Sequence, residues 1–255
     1  MIYFRVIPVL LIDGEGCFKT IKFNKKIYLG DPINIIKIFN DLEVDEIIIL
    51  DISPGNNVNY NLLQKLSQES FVPLTYGGKI KNEEDVENVI KLGFEKISIN
   101  SLYIENPGIV KKIIKKFGSS TISMCVNIKT NIFGKNKVHY LRKRKNLSND
   151  IIQYLKAIQD IKPGEIFITF MDNEGTQSGF DIEVLKEIKK NISCNLIVNG
   201  GLRDSKEILD VKNLNFSGVA GSRFFCFKNG LDSILINYID QAIKNKIYEN
   251  FDIRS

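Results

Sequence analysis

The sequence alternates eight times between a short run rich in Ile, Val and Leu and a longer segment whose apolar residues have helical spacing. The short runs have the length of strands, and their continuous apolar character indicates burial on both faces, as in a parallel sheet covered by helices. Eight strand–helix units in 255 residues predict an α/β protein with a closed (β/α)8 TIM barrel rather than an open sheet.

The predicted strands span residues 5–12, 46–51, 73–76, 96–100, 121–128, 165–170, 195–199 and 218–221. The predicted helices span residues 32–42, 61–69, 83–92, 107–117, 150–161, 181–190, 204–214 and 231–244. Two connections that follow strands are long, at 13–30 and 129–149. Loops after strands lie on the active face of such a barrel, so we expect both to act as lids.

The two halves of the chain resemble each other. Three pairs stand about 120 residues apart, namely Glu46 with Glu165, Gly77-Gly78 with Gly200-Gly201, and Ser101 with Ser222. The repeat predicts one barrel domain over 1–255, built from half-barrels at about 1–120 and 121–255. Each half brings a Gly-Gly turn and a small hydroxyl residue to the same rim, which suits a substrate with a phosphate at both ends.

Charge and apolar pattern exclude several classes of function. The net charge is +5, but basic residues are scattered, so we expect no nucleic-acid partner. The dense run at 142–145 is typical of a solvated loop, or alternatively of an anion or partner contact. No apolar run approaches the roughly 20 residues of a membrane span, and residues 1–8 do not resemble a signal peptide. We therefore expect a cytoplasmic protein without a membrane partner.

Metal-binding and redox residues are sparse. His139 is the single histidine, so a histidine triad or a multi-histidine metal site is not expected, and we predict no cofactor. The cysteines are far apart and include no CxxC pair, which indicates reduced thiols. They are Cys17, Cys125, Cys194 and Cys226.

One turn has the chemistry of a phosphate site. Gly175-Thr176 follows an apolar strand and precedes a helix for which Asp181 is the expected N-cap. Such a turn presents backbone N–H groups and a hydroxyl to an anion. Most turns of this kind are simple connectors, so both interpretations stay open at this point.

Taken together, these motifs identify a family. The half-barrel repeat, Asp172-x-x-Gly175-Thr176-x-x-Gly179-x-Asp181, Asn199-Gly200-Gly201, Gly221-Ser222 and Gly30-Asp31-Pro32 resemble the cyclase subunit of imidazole glycerol phosphate synthase over nearly the whole chain. The resemblance implies a TIM barrel that accepts ammonia from a glutaminase subunit docked at its bottom face. With that ammonia, family members cleave a bis-phosphorylated ribulosyl intermediate of histidine biosynthesis and close the imidazole ring.

The resemblance also implies two phosphate half-sites. The first is carried over onto Gly77, Gly78, Asn100 and Ser101, and the second onto Gly175, Thr176, Gly200, Gly201, Gly221 and Ser222. Lys79 stands where the family has a third glycine. Its side chain either pairs with a phosphate or fills the space that the backbone needs, and the sequence does not decide between the two. Lys19 matches a lid lysine, with a solvated charge as the alternative.

The catalytic pair does not match. The family uses an Asp at the end of the first strand and another at the end of the fifth as general acid and base. Here the first position falls on Leu11, or on Leu10 in a shifted alignment, and the second falls on Asn127. An amide does not exchange protons near pH 7, and leucine cannot. Asp13 and Asp51 are the candidate substitutes, and Asp51 is otherwise a strand-end cap.

The opposite end of the barrel matches fully. Four charged residues that gate an ammonia tunnel in the family correspond to Arg5, Glu46, Lys96 and Glu165, each at the start of a strand. The alternative is a purely structural ring of ion pairs, because two cations with two carboxylates balance each other.

Three functions are compatible with this pattern. The first is a cyclase-like subunit of a glutamine amidotransferase complex that passes ammonia to an acceptor amidated by a separate synthetase. A divergent branch of the family with the same Leu-rich first strand and a loop like Lys19-Thr20-Ile21-Lys22-Phe23 is associated with amidation of bacterial surface sugars, in lipopolysaccharide or flagellar glycan. The second is an ordinary cyclase (a lyase) that forms imidazole glycerol phosphate for histidine biosynthesis. The third is a non-catalytic module that binds a phosphorylated small molecule.

Overall fold

The computed structural model describes residues 3–131, 134–227 and 233–248. Eight parallel strands close into a barrel, because each pairs with two neighbours and the last of them in the chain pairs with the first. In chain order these are β1 (Arg5–Asp13), β4 (Ile47–Asp51), β5 (Leu74–Gly77), β6 (Lys96–Ile99), β7 (Ile122–Thr130), β10 (Glu165–Phe170), β11 (Asn195–Asn199) and β12 (Gly218–Gly221). The predicted (β/α)8 barrel is confirmed.

Helices cover the outside of the barrel. They are α1 (Pro32–Asp41), α2 (Tyr60–Glu69), α3 (Glu83–Lys91), α4 (Ser101–Glu105), α5 (Pro107–Phe117), α6 (Ile151–Gln159), α7 (Ile182–Asn191), α8 (Ser205–Asn213), α9 (Arg223–Cys226) and α10 (Gln241–Tyr248). The predicted cap of α7 is confirmed, since Asp181 accepts hydrogen bonds from the N–H groups of Glu183 and Val184.

Side chains along each barrel strand alternate between two cores. On β1, Val6, Leu10 and Ile12 face outward and pack against the helices. Ile7, Val9 and Leu11 face the barrel interior, where they meet inward residues of the other strands. This parity decides which side chains can reach a site inside the barrel.

The two long connections contain four strands that were not predicted from the sequence. β2 (Gly16–Ile21) and β3 (Lys25–Gly30) form an antiparallel hairpin on β1, and β8 (Asn136–Tyr140) and β9 (Lys145–Ser148) extend β7 in the same way. The expectation of long loops was therefore wrong. These strands are short and rich in lysine, so their pattern resembles that of a solvated loop.

The last predicted helix was also wrong over part of its length. Residues 233–240 are not helical, and α10 begins at Gln241, while residues 231 and 232 lie outside the described residues. In the extended part, Tyr238 donates a hydrogen bond of 2.7 Å to the Val6 carbonyl and packs on Phe225. Those tertiary contacts fix this segment against the start of β1 in place of local helical bonds. No helix in the described ranges is long and apolar enough to cross a membrane.

Candidate functional site

At the floor of the barrel the four predicted gate residues form one ring. Arg5 donates hydrogen bonds to Glu46 and, at 2.6 Å, to Glu165. Lys96 Nζ lies 2.9 Å from Glu46 Oε2 and 3.4 Å from Glu165 Oε2. Thr75 Oγ1 also donates to Glu46, at 2.6 Å. The structure thus brings all four charges together in an alternating arrangement with no net charge.

The pKa values of the ring reflect this mutual compensation. Burial by itself would lower the pKa of Arg5, but the attraction of Glu165 and Glu46 outweighs burial and raises it. Burial would raise the pKa of Glu46, but the attraction of Lys96 and Arg5, together with the hydrogen bond from Thr75, lowers it. These two groups are therefore held in their charged forms at neutral pH.

Two buried polar atoms beside the ring have no hydrogen-bond partner among the described residues. They are Glu165 Oε1 and Ser123 Oγ. Glu165 and Ser123 are direct neighbours in the pairing of β10 with β7, and both face the barrel interior. Above them is an apolar layer that includes Ile7, Ile48 and Phe167. The floor is thus an ionic ring followed by an apolar barrier.

Above the apolar layer, a cavity of about 380 Å³ opens at the carboxyl ends of the strands. One wall is apolar and is formed on β1 and β4, with Leu11 and Leu50. The opposite wall is a polar row across β7, β10 and β11, formed by Asn127, Thr169 and Asn199, which are paired in register. Asn199 Nδ2 donates to Thr169 Oγ1 at 3.2 Å.

Both positions that correspond to the family's catalytic carboxylates line this cavity. Leu11 and Asn127 are buried and face each other across it, whereas Leu10 faces the outer core, so of the two leucines Leu11 is the one that borders the cavity. Asp13 is at the end of β1, paired with Lys26, and does not border the cavity. Asp51 does border it.

The expected first phosphate half-site is at the β5–β6 side of the cavity, where Gly77, Gly78, Asn100 and Ser101 all line it. Lys79 lines it as well and adopts a φ of +58°, which is unusual for a residue other than glycine. Its Nζ lies 3.1 Å from Asp51 Oδ2, so the lysine is paired with a carboxylate of the chain itself.

The expected second half-site adjoins the cavity as a narrow crevice bordered by Gly175, Gly201, Gly221 and Ser222, together with Gln177 and Arg223. Two buried donors here, Ser222 Oγ and Gln177 Nε2, have no hydrogen-bond partner in the part of the chain that the structure describes. Thr176 Oγ1 donates to the Asn173 carbonyl at 2.7 Å and does not border the crevice. Gly200 packs closely against the backbone at the end of β10, since a Cβ at this position would lie 2.3 Å from the Phe170 carbonyl oxygen.

Glu174, which the sequence pattern did not predict as a site residue, borders both the cavity and the crevice. Burial raises the pKa of Glu174 to about 7, against the opposing attraction of Lys19 and hydrogen bonds from Asn199 and the Gly175 N–H. Lys19 is fully buried on β2, with its Nζ 4.6 Å from the centre of the Phe227 ring, so it is not a lysine of a solvated loop. The signal available in the sequence was a carboxylate in the turn directly after a barrel strand.

Fold and site together define a class of protein: a TIM barrel with paired glycine turns at its mouth and an ionic ring at its floor. The histidine biosynthesis protein family matches residues 5–230. The chain is 37% identical over 254 residues, 98% of each chain, to a Vibrio vulnificus protein named "Putative imidazole glycerol phosphate synthase subunit hisF3". It is 34% identical to a Pseudomonas aeruginosa protein named "Putative imidazole glycerol phosphate synthase subunit hisF2", over 94% of this chain and 97% of that protein.

A third relative is the Alkaliphilus metalliredigens "Imidazole glycerol phosphate synthase subunit HisF", at 32% identity over 82% of this chain and 84% of that protein. The chain belongs to the family of imidazole glycerol phosphate synthase cyclase subunits, as the motifs indicated.

Proposed function

We propose that this chain is the ammonia-accepting subunit of a glutamine amidotransferase complex. A glutaminase subunit docks at the barrel floor, and ammonia passes up the barrel to a phosphorylated acceptor at the mouth. The single observation that carries the proposal is the combination of a complete ionic ring at the floor with Leu11 and Asn127 at the catalytic positions of the mouth.

The construction of the floor supports passage of a small neutral molecule. Glu165 Oε1 and Ser123 Oγ offer hydrogen-bonding groups to ammonia beside the ring. The apolar layer above them penalises ions, because transfer of a charge into an apolar medium is far costlier than transfer of a neutral molecule. Ammonia would therefore cross the layer far more readily than ammonium.

The construction of the mouth argues against the cyclase reaction. General acid–base catalysis typically contributes about 10²–10⁴-fold, and neither Leu11 nor Asn127 exchanges protons near pH 7. Glu174 is the carboxylate whose pKa of about 7 suits proton transfer, but it lies on the β10 side of the mouth rather than on β1 or β7. The chemistry at this mouth would thus differ from that of the family's cyclases.

Surface-sugar amidation is the context that we propose for the acceptor. The support is the likeness of the loop Lys19-Thr20-Ile21-Lys22-Phe23 and of the Leu-rich first strand to the divergent branch of the family that is associated with such amidation. A separate synthetase at the rim is a further candidate partner, and a cytoplasmic location follows from this role.

The experiment is to mix the purified full-length chain with the glutaminase subunit from the same organism and to measure glutamate formation from glutamine. We expect a stable complex and a glutaminase rate that rises at least tenfold over the glutaminase alone. No complex, or an unchanged rate, would reject the proposal.

The second candidate function is the cyclase reaction of histidine biosynthesis, favoured by Asp51 in the cavity and by the names of the relatives. The discriminating assay supplies the bis-phosphorylated ribulosyl substrate with ammonium chloride. Robust formation of imidazole glycerol phosphate, lost in Asp51→Asn, would favour the cyclase over the conduit.

A further inference from the structure

The barrel interior becomes polar directly above its apolar layer. Phe167 on β10 and Ile197 on β11 belong to that layer. Two positions further along the same strands stand Thr169 and Asn199, which face the interior as well because side chains alternate along a strand. A small neutral molecule that crosses the apolar layer on this side of the barrel therefore meets these two polar side chains first.

Asn199 offers an unused acceptor at this level. Its Nδ2 donates to Thr169 Oγ1 at 3.2 Å, and its side chain also hydrogen-bonds the Glu174 carboxyl. A carboxylate accepts hydrogen bonds and does not donate them, so the amide presents its nitrogen to Glu174. The amide oxygen Oδ1 is buried and has no hydrogen-bond partner among the described residues, although Asn199 is only 3% exposed.

Glu174 offers a second unused acceptor. Its Oε2 has no hydrogen-bond partner within the described ranges, and the residue is 6% exposed. The turn that carries it is fixed to the β2–β3 hairpin, because the Glu174 carbonyl accepts a hydrogen bond of 2.9 Å from the Lys22 N–H. Glu174 and Asn199 both line the cavity. Buried acceptors without donors are costly, so this pair indicates a ligand that donates hydrogen bonds.

The charges around Glu174 leave its carboxyl free to exchange a proton near neutral pH. Lys19 attracts it from β2, but burial outweighs that attraction and raises the pKa of Glu174 to about 7. Lys19 does not border the cavity, and its Nζ packs on the Phe227 ring. Burial raises the pKa of the nearby Cys226 thiol, which stays uncharged. Arg223 borders the crevice and not the cavity.

We propose that Asn199 Oδ1 and Glu174 Oε2 form a receiving site that holds one ammonia molecule, as ammonia or as ammonium, where the barrel interior opens into the mouth. The inference rests on the proposed function, because the barrel supplies the ammonia. Two N–H groups of the ligand satisfy the two acceptors. An anion is disfavoured at these two atoms, since neither of them can donate a hydrogen bond to it when Glu174 is ionised.

Sharing one proton with Glu174 allows this site both to hold ammonia and to release it. Ammonia that arrives at the protonated carboxyl takes its proton, because amines bind a proton more tightly than carboxyls do. The products are ammonium and a carboxylate, joined by a charge-assisted hydrogen bond. Return of the same proton to Glu174 restores the nitrogen lone pair that attacks an acceptor. The transfer is balanced and needs no further reactant.

Thermal unfolding of the full-length chain at pH 8 tests this site. Ammonium chloride at about 100 mM is compared with potassium chloride at the same concentration, because potassium has the same charge but no N–H groups. We expect the melting temperature to be about 3 °C higher in ammonium, since a ligand that binds the folded state stabilises it.

Three variants assign the effect to these residues. Glu174→Gln and Asn199→Leu should each reduce the difference between the two salts to less than about 1 °C, because each removes one of the acceptors. Glu183→Gln is the matched control for the loss of a carboxylate, since the Glu183 side chain is 81% exposed on α7. It should keep the full difference. Circular dichroism confirms that each variant is folded.

A second measurement reads the site directly. Carbon-13 NMR of the chain labelled on the glutamate carboxyl carbons follows the titration of Glu174, whose signal is assigned by its loss in Glu174→Gln. Ammonium should lower the apparent pKa of Glu174 by about 0.5 or more relative to potassium, because it binds the ionised carboxylate more tightly than the protonated one.

Three results would overturn the inference. The first is equal melting temperatures in the two salts together with an unchanged pKa of Glu174. The second is an ammonium effect that persists in Glu174→Gln, which would place the binding elsewhere. The third is stronger stabilisation by glucosamine than by ammonium at equal concentration, which would assign the acceptors to an amino group of the sugar.

Stimulation of the glutaminase by the same protein sample is measured in parallel. Absence of the ammonium effects with intact stimulation rejects this inference alone. The expected ammonium effects without stimulation reject the proposed function alone.

Discussion

Arg5 and Glu165, which are 160 positions apart in the sequence, meet at the barrel floor with Arg5 Nη2 2.6 Å from Glu165 Oε2. The contact joins β1 to β10, and Glu165 is the residue that the repeat pairs with Glu46. Because Arg5 also binds Glu46, one guanidinium compensates two buried carboxylates. The integrity of the floor therefore depends on this arginine.

Replacement of Arg5 should destabilise the fold strongly. Arg5→Met leaves Glu46 and Glu165 with Lys96 as the remaining cation of the ring, and breaking a buried pair costs about 3–5 kcal/mol. Since the Arg5 side chain is 16% exposed, we expect the lower end, a loss of about 3 kcal/mol in the free energy of unfolding by urea. Lys91→Met, at an exposed pair, should cost less than about 1 kcal/mol. Equal effects of the two substitutions would show that the ring contributes little to stability.

Glu174 should make stability depend on pH. Its pKa is about 7 in the folded chain and near 4.5 when unfolded, so below pH 4.5 the carboxyl is protonated in both states and carries no penalty. As pH rises from 4.5 to 7, the unfolded state releases its proton first and the folded state loses stability; above pH 7 the loss is complete. Glu174→Gln abolishes this dependence.

The measurement is urea unfolding of wild type and Glu174→Gln at pH 5 and pH 8. We subtract the unfolding free energy of wild type from that of Glu174→Gln at each pH. This difference should be about 2 to 3 kcal/mol larger at pH 8 than at pH 5. Any cost of the substitution that does not depend on pH, such as a change in packing, cancels in this comparison, while the attraction of Lys19 to the ionised carboxylate is already contained in the pKa of about 7. A difference that is independent of pH would contradict a raised pKa.

Two glycines have nearly the same φ, but only one of them lies close to other backbone atoms. Comparing their replacement by alanine therefore distinguishes the cost of a strained φ from the cost of a steric clash. Gly200 (φ +93°) would place a Cβ 2.3 Å from the Phe170 carbonyl oxygen, whereas Gly55 (φ +94°) has open space around it. Gly55→Ala should cost about 1 kcal/mol through φ alone, and Gly200→Ala should cost at least about 2 kcal/mol more because backbone atoms must shift. Thermal unfolding of both variants measures the difference, and similar melting temperatures would show that the turn at Gly200 relaxes freely.

Much of the barrel could be predicted because its strands are encoded locally. Continuous Ile, Val and Leu runs such as residues 47–50 and a capping aspartate such as Asp181 identify their elements without tertiary information. The hairpin β8–β9 and the extended segment around Tyr238 could not be predicted in this way. The hairpin is polar and short, and the segment is held by contacts with residues more than 190 positions away.

The candidate site likewise has one part that could be predicted from the sequence and another that could not. The ring and the glycine turns follow from residue type at the ends of strands, so their residues could be named from the sequence. The pairing of Lys79 with Asp51 and the burial of Lys19 beside Glu174 depend on side-chain directions that the sequence pattern leaves open. Those two features are what distinguish this mouth from the one that the resemblance implies.

The measurement that tests the central claim most directly is the rate of glutamate formation from glutamine by the glutaminase subunit, in complexes built with wild type, Lys96→Met and Lys91→Met. Lys96 Nζ contacts both carboxylates of the ring, while Lys91 is exposed on α3 and serves as the control. If the ring controls entry of ammonia into the barrel, the Lys96→Met complex forms normally but its rate differs at least fivefold from wild type, and Lys91→Met does not differ. Identical rates in all three complexes would contradict the account.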